Sequence, residues 1–263
     1  MQDAFLFKIV LSFLTAGIWI TAMTILAERF GSKIGGIIGN MPSNILISLL
    51  FMGWTQSPEF AAEATTSVPL GMAFDAFFLF AYIVSAKRLG TWAALPAFAC
   101  WFILAFLFSP YIGASMLIST LIFAIITLVL FFILDSVMKI RSVQAKQMPK
   151  TLSQLAMRAL FAGLVVASSV ALAAFLGPFW GGILSVFPAV LFSTMHILTV
   201  SQGADFSRAT GKVLLLASSN IIIYAFAVRI TYPLLGLVLG TIVSYAVVLI
   251  AIAAAYPLLK RIS

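Results

Sequence analysis

The chain has 263 residues, of which 63% are hydrophobic and only 8% charged, and its mean hydropathy is +1.18. A soluble domain carries roughly 25% charged residues, so this composition cannot cover a globular surface with polar groups. It excludes a soluble enzyme, a secreted disulfide scaffold and a disordered chain. One cysteine (Cys100) and one histidine (His196) leave no disulfide and no Cys/His metal cage. Lipid has to be the solvent for most of the chain, so the net charge of +8 reads as orientation signals rather than nucleic-acid binding.

At roughly 20 apolar residues per crossing, the hydrophobic runs predict an all-α, polytopic membrane protein. Its nine helices are expected over 5–27, 34–54, 66–85, 91–108, 111–134, 156–176, 178–200, 211–230 and 233–258. The first run starts with Asp3 instead of a basic cluster and is too long for a cleavable signal peptide. The fourth is short and contains Pro96, and it is separated from the fifth only by Ser109-Pro110. The longest polar stretch, Ser136 to Gln154, reads as one inter-helix loop.

Lys and Arg set the orientation. With the N-terminus outside, Arg29, Lys33, Lys87, Arg88, Lys139, Arg141, Lys146, Lys150, Arg158, Arg208, Lys212, Lys260 and Arg261 fall in or beside inside loops and the tail. That is thirteen of the 15 positive residues, leaving only Lys8 and Arg229 for the other side. The positive-inside rule then gives an outside N-terminus and a cytoplasmic C-terminus in the plasma membrane. A lipid-headgroup role for the Lys139–Lys150 loop is the secondary reading of its charges.

The chain repeats itself at a spacing of 146. Gly31, Gly35, Gly36, Ile37, Pro42, Gln56 and Phe60 recur as Gly177, Gly181, Gly182, Ile183, Pro188, Gln202 and Phe206. After a one-residue deletion, Ala64, Thr65, Val68 and Leu70 meet Ala209, Thr210, Val213 and Leu215. Composition alone would scatter Leu, Ile and Ala matches; it would not put a Gly pair, a Pro, a Gln and a Phe at one offset. Five crossings separate each helix from its copy, so the copies run in opposite directions. The expected organisation is a first repeat over 1–110, a connecting helix with a basic loop over 111–154, and a second, inverted repeat over 155–263. Inverted repeats of this kind are a recurring plan of secondary transporters, with the substrate near the midplane between the halves.

Within each copy, small residues form a ridge at helical spacing: Gly31, Gly35, Gly39 and Ser43 in the first, and Gly177, Gly181, Ser185 and Ala189 in the second. Such ridges let helices pack closely in lipid. Pro42 and Pro188 stand eight to ten residues into helices 2 and 7, about 12–15 Å deep at 1.5 Å per residue. Each removes a helical hydrogen bond and should break or kink its helix, freeing carbonyls that need a neighbouring helix, water or a bound ion. The surroundings of Pro42 are polar (Asn40, Ser43, Asn44) and those of Pro188 apolar, so a site leans toward the first copy.

Asp75 is the only acid far from both ends of its helix, and Asn220 occupies its repeat position. An intramembrane acid is a functional candidate by default. It suits a proton carrier, and with Asn and Ser oxygens around it Na⁺ is equally accommodated. The repeated acids Glu59 and Asp205 read instead as first-turn helix residues, because Ser57-Pro58-Glu59 has the order of an N-cap, an N1 proline and a dipole-matched acid. His196 is a candidate proton relay, though helix packing explains it more simply. The five Trp residues, Trp101 among them, suggest an aromatic belt at helix ends. Thr210-Gly211-Lys212 lacks the first Gly and the final Ser/Thr of a phosphate loop.

These residues point to a transporter of a small molecule or ion, moved by alternating access. A channel or a lipid-translocating protein is the alternative, with no coupling ion. No catalytic residue, cofactor or metal is expected; the oligomeric state is open, a homodimer included. Topology is testable in a Cys100-free background carrying single cysteines at Gln56, Gly203 or Ile262. Gln56 should react with an impermeant thiol reagent from outside, and Gly203 and Ile262 only after permeabilisation. Labelling of Gln56 and Gly203 from one side would end the inverted-repeat reading.

Overall fold

A computed structural model describes residues 2–29, 41–109, 111, 115–141, 143 and 151–262. Every regular element among them is helical. In chain order these are α1 (Gln2–Arg29), α2 (Ser43–Thr55), α3 (Pro58–Ala64), α4 (Val68–Leu89), α5 (Ala94–Phe108), α6 (Met116–Phe132), α7 (Leu152–Leu176), α8 (Pro178–Ser185), α9 (Ala189–Gln202), α10 (Ala204–Ala217) and α11 (Ser219–Ile262). Six helical stretches are long and apolar enough to cross a membrane, and two of them, Pro58–Phe108 and Ala204–Ala254, run to 51 residues. The outer surface suits hydrocarbon: Phe7, Leu95, Phe106, Leu117, Leu234 and Ile250 all point outward and are more than half exposed.

Local chemistry sets the helix ends. The Ser57 hydroxyl accepts from Phe60 N (3.1 Å) with Pro58 at the first helical position, as the Ser-Pro-Glu order predicts. Thr151 and Gln154 form a reciprocal capping box, which starts α7 at Leu152, four residues before the expected start at 156. At the other end of the chain the break between helices 8 and 9 is expected near 231–232, ahead of Pro233. The chain turns instead at Gly236, whose φ of +72° is open to glycine at no steric cost. Across that turn the arms of α11 fold together: Thr231 meets Ser244 (2.7 Å), and Tyr232 meets Thr241 (2.8 Å).

The proline of helix 7 produces a complete break. Residues 186–188 leave the helical path, so α8 ends at Ser185 and α9 begins at Ala189. Ala189 therefore does not continue the small-residue ridge of α8. In the first copy Pro42 likewise precedes the start of α2. Gly31, Gly35, Gly39 and Asn40 lie outside the described residues, so of the first ridge only Ser43 is described.

Several backbone features recur at the spacing of the sequence repeat. Ser43 N bonds to Met41 O and Ala189 N to Phe187 O, both at 2.7 Å. Ala61 N bonds to Ser57 O and Ser207 N to Gly203 O, both at 3.2 Å. Gly90 and Gly236, one residue off the spacing of 145 that holds beyond Ala64, both turn with positive φ.

Helices α1 and α7 cross in close contact. A Cβ on Gly17 would lie 3.3 Å from Ala159 O, and one on Gly163 only 2.8 Å from Phe13 O. Moving from 13 to 17 on α1 moves from 163 back to 159 on α7, so the two helices are antiparallel. A second close approach seats α8 on α3: a Cβ on Gly182 would fall onto Ala64 O and Ser67 Oγ, and Ser67 Oγ donates to Phe179 O (2.5 Å). Gly181 is buried against Ala173 and Met52. Gly177 is a correction to the ridge: at φ +84° it joins α7 to α8, and a Cβ there would meet nothing within 4 Å. Its need for glycine is conformational rather than steric.

Gly182→Ala should therefore cost about 1–3 kcal/mol of stability through overpacking against backbone, read as a lower unfolding temperature of the detergent-purified protein. A wild-type melting curve would show that α8 and α3 are not in contact at this point.

Candidate functional site

The starts of α2 and α9, each preceded by a proline, open onto one cavity of about 380 Å³, the size range of small-molecule sites. Pro42, Ser43 and Asn44 contribute from the start of α2, Ser185 and Pro188 from the second break, Asp75 from α4 and Asn220 from the start of α11. Of the substrate or ion residues expected from sequence, all except Asn40, which is not described, line this single space. Ser185 is also buried and donates to Gly182 O (2.7 Å), so it meets its hydroxyl requirement within its own helix.

The two helix starts present matching electrostatics. α2 and α9 each begin with a proline at the N-cap position and no side-chain cap. A helix start leaves backbone N–H groups without intrahelical partners and carries a partial positive charge. Both starts face the cavity. Asn44 Oδ1, buried beside the first, has no hydrogen-bond partner among the described residues.

Asp75 is 3% exposed, and Trp101 Nε1 donates to its Oδ1 at 2.8 Å. Trp101 is itself buried (1% exposed), in α5, and this corrects the aromatic-belt reading for that residue. Its ring stands edge-on to Phe187 (centroids 4.9 Å apart), which lies inside the second break, while Phe98 stacks on Phe187 at 5.7 Å. The carboxyl of the first copy and the break of the second are thus joined through two aromatic rings.

Arg158 and Thr194 also line the cavity, and neither was expected there. Arg158 donates to Thr194 Oγ1, linking α7 to α9. Sequence reading assigned Arg158 to the border of an inside loop. The capping box at Thr151 was the signal that could have corrected this, because it puts Arg158 well within α7. His196 does not line the cavity with Asp75; its ring packs on Phe192 (5.5 Å), and Nδ1 is buried without a partner among the described residues. Glu59 and Asp205 sit in the first turns of α3 and α10, away from the cavity, Asp205 pairing with Arg208 at 3.3 Å. Among the described residues no cluster of three His, Cys, Asp or Glu side chains could hold a metal ion.

Residues 9–112 are similar to a family described as "Protein of unknown function (DUF3147)". No curated protein and no solved structure matches the chain.

Trp101→Phe keeps an aromatic ring but removes the only N–H that the indole offers Asp75. It should destabilise the protein by about 1–3 kcal/mol, the cost of a buried acceptor left unmet, and be partly rescued when combined with Asp75→Leu. Strictly additive unfolding free energies in the double-mutant cycle would mean the two side chains do not depend on each other.

Proposed function

We propose that the chain is a multi-pass transporter that moves a small solute by alternating access between two inverted four-helix repeats, with Asp75 carrying a coupling proton. The observation that carries this reading is the single cavity onto which the starts of α2 and α9, Asp75 and Asn220 open. A site shared between two halves is what an inverted-repeat transporter requires, since each half must expose it in turn.

Further support comes from the repeat geometry. The bonds that recur 146 residues apart, and the antiparallel crossing of α1 with its copy α7, suit two units related by a pseudo-two-fold axis in the membrane plane. The two 51-residue apolar stretches each have length for two crossings. With α2 and the run before it, nine crossings result, with the N-terminus outside and the C-terminus cytoplasmic. The similarity to a family over 9–112 covers nearly the span read as the first repeat, 1–110.

A proton is favoured over Na⁺ as the coupled ion. A metal cation needs a shell of oxygens around it, whereas Asp75 is recessed and has one oxygen already engaged by Trp101. A proton needs only the carboxyl itself.

The test uses purified protein in sealed vesicles loaded with pyranine, challenged with pools of amino acids, organic acids, sugars and amines. At least one pool should move protons faster than in protein-free vesicles. Asp75→Asn should fold normally, since Asn already fills the equivalent position at 220, and should abolish the proton movement. Unchanged proton-coupled uptake by a well-folded Asp75→Asn protein would overturn the proposal, as would the absence of any response in the wild type.

A further inference from the structure

We infer that a second pocket, at the C-terminal end of α6, binds the phosphate headgroup of an anionic phospholipid. The inference does not depend on the transport reading, because this pocket and the central cavity share no lining residue.

The stretch Met116–Val137 is long and apolar enough to cross a membrane, and it ends in one π-helical turn, Ile133–Val137. Lys139 then takes a φ of +50°, the only positive value outside glycine among the described residues. A left-handed lysine is uncommon and costs conformational energy. Here it turns the chain so that Ile140 is buried while Lys139 and Arg141, on either side of it, stay exposed. Ile140 N bonds to Leu134 O (3.1 Å), and Ile140 O accepts from Lys212 Nζ (2.7 Å), which anchors the turn to α10. The pocket, of about 580 Å³, lies between this turn and the face of α10 formed by Phe206, Ala209, Thr210 and Val213.

Its described lining sets Lys139, Arg141 and Lys212 against one acid, Asp135, and Lys212 takes that acid at 2.8 Å. Lys139 and Arg141 have no ion-pair or hydrogen-bond partner among the described residues. The sequence holds no Asp or Glu between Asp135 and Asp205, and Asp205 pairs with Arg208. Two cations are therefore left for an outside anion, Arg141 with the fork that matches a phosphate and Lys139 as a point charge. Basic pockets between helices at the membrane edge are seats for anionic headgroups. The neighbouring surface supplies the place for the chains. Leu121, Ile125, Leu128 and Phe132 share one face of α6, each more than half exposed, and the stripe ends one turn before Ser136, which lines the pocket. A lipid uses both the stripe and the pocket, whereas a free phosphate uses only the pocket. A choline or ethanolamine head would bring its own cation beside Lys139 and Arg141, so the anionic class is the one selected.

The test titrates the full chain, purified in a neutral detergent, and reads bound lipid by native mass spectrometry. The probes are dioleoylphosphatidylglycerol, dioleoylphosphatidylcholine and glycerol 3-phosphate, the last carrying a phosphate without acyl chains. Phosphatidylglycerol should bind about tenfold more tightly than either of the others. Lys139→Gln combined with Arg141→Gln should lower that affinity about tenfold, and Arg141→Gln alone by less. Both side chains are exposed, so neither change removes a packing contact. Lys87→Gln combined with Arg88→Gln removes the same charge from exposed positions outside the pocket. That control should leave the affinity within about twofold, since distant exposed charges are screened. Phosphatidylcholine binding as tightly as phosphatidylglycerol, or wild-type affinity in the Lys139 and Arg141 double variant, would overturn the inference. So would an equal loss in the Lys87 and Arg88 control, which would mean diffuse attraction to a basic surface. Equal or tighter binding of glycerol 3-phosphate would overturn it in favour of a free phosphate.

Discussion

A proline within an apolar helix leaves a carbonyl without its partner and turns the chain, and in hydrocarbon no water is at hand to repair the loss. Pro58, Pro69, Pro96 and Pro178 occupy first-turn positions, where the missing N–H would have been unpaired anyway. Pro42 and Pro188 are different. Each stands just outside the helix it precedes, with a ψ (61° and 35°) that the helix does not allow. The chain therefore starts two helices at the wall of one cavity, where their first-turn donors and the surrounding polar side chains have to be accommodated. The cavity, the polar residues of its wall and the bond from Arg158 to Thr194 all gather where those starts occur.

Holding these two helix starts in an apolar bundle demands tight packing around them. Small residues supply it: Gly17 and Gly163 let α1 and α7 approach backbone to side chain, and Gly182 lets α8 lie on α3 with the Ser67 hydroxyl bonded across to Phe179 O. Interhelical polar contacts of this type contribute modestly each in lipid, so the close packing matters more than any single bond. The aromatic contacts add a different constraint. Phe187 cannot swing far without disturbing Trp101, and Trp101 cannot move without giving up Asp75. The position of the second break and the environment of the carboxyl are therefore set together.

Much of this was legible in the sequence, and the misses have identifiable causes. The hydrophobic runs gave the all-helical character, and the repeat picked out Pro42 with Pro188 at a spacing of 146 and, after the one-residue deletion, Asp75 with Asn220 at 145, pairs that line one cavity. Spacing could not say why a glycine is needed: Gly181 and Gly177 fall on the same ridge, yet one is packed against Ala173 and Met52 and the other serves a positive φ. Hydropathy could not say which way a tryptophan faces, so Trp101 was grouped with lipid-facing rings although its N–H meets a carboxyl. Pro233 looked like the last helix boundary, but the conformational freedom of Gly236 takes the turn three residues later. Arg158 was lost to a helix start set four residues late, past the Thr151 capping box.

The charge content of the cavity bears on energetics across a membrane. The described lining holds one acid, Asp75, which accepts a hydrogen bond from Trp101, and one guanidinium, Arg158, which donates to Thr194; a charge is kept in apolar surroundings only with such partners. On the proposed reading Asp75 takes up one proton per cycle, so the charge of the solute decides whether the load is neutral. Moving one elementary charge through 100 mV is worth about 2.3 kcal/mol. An electroneutral load neither gains nor loses that energy, so the proton gradient alone would set the direction of movement. A neutral solute moved with the same proton would carry a positive charge and be drawn inward by a negative interior.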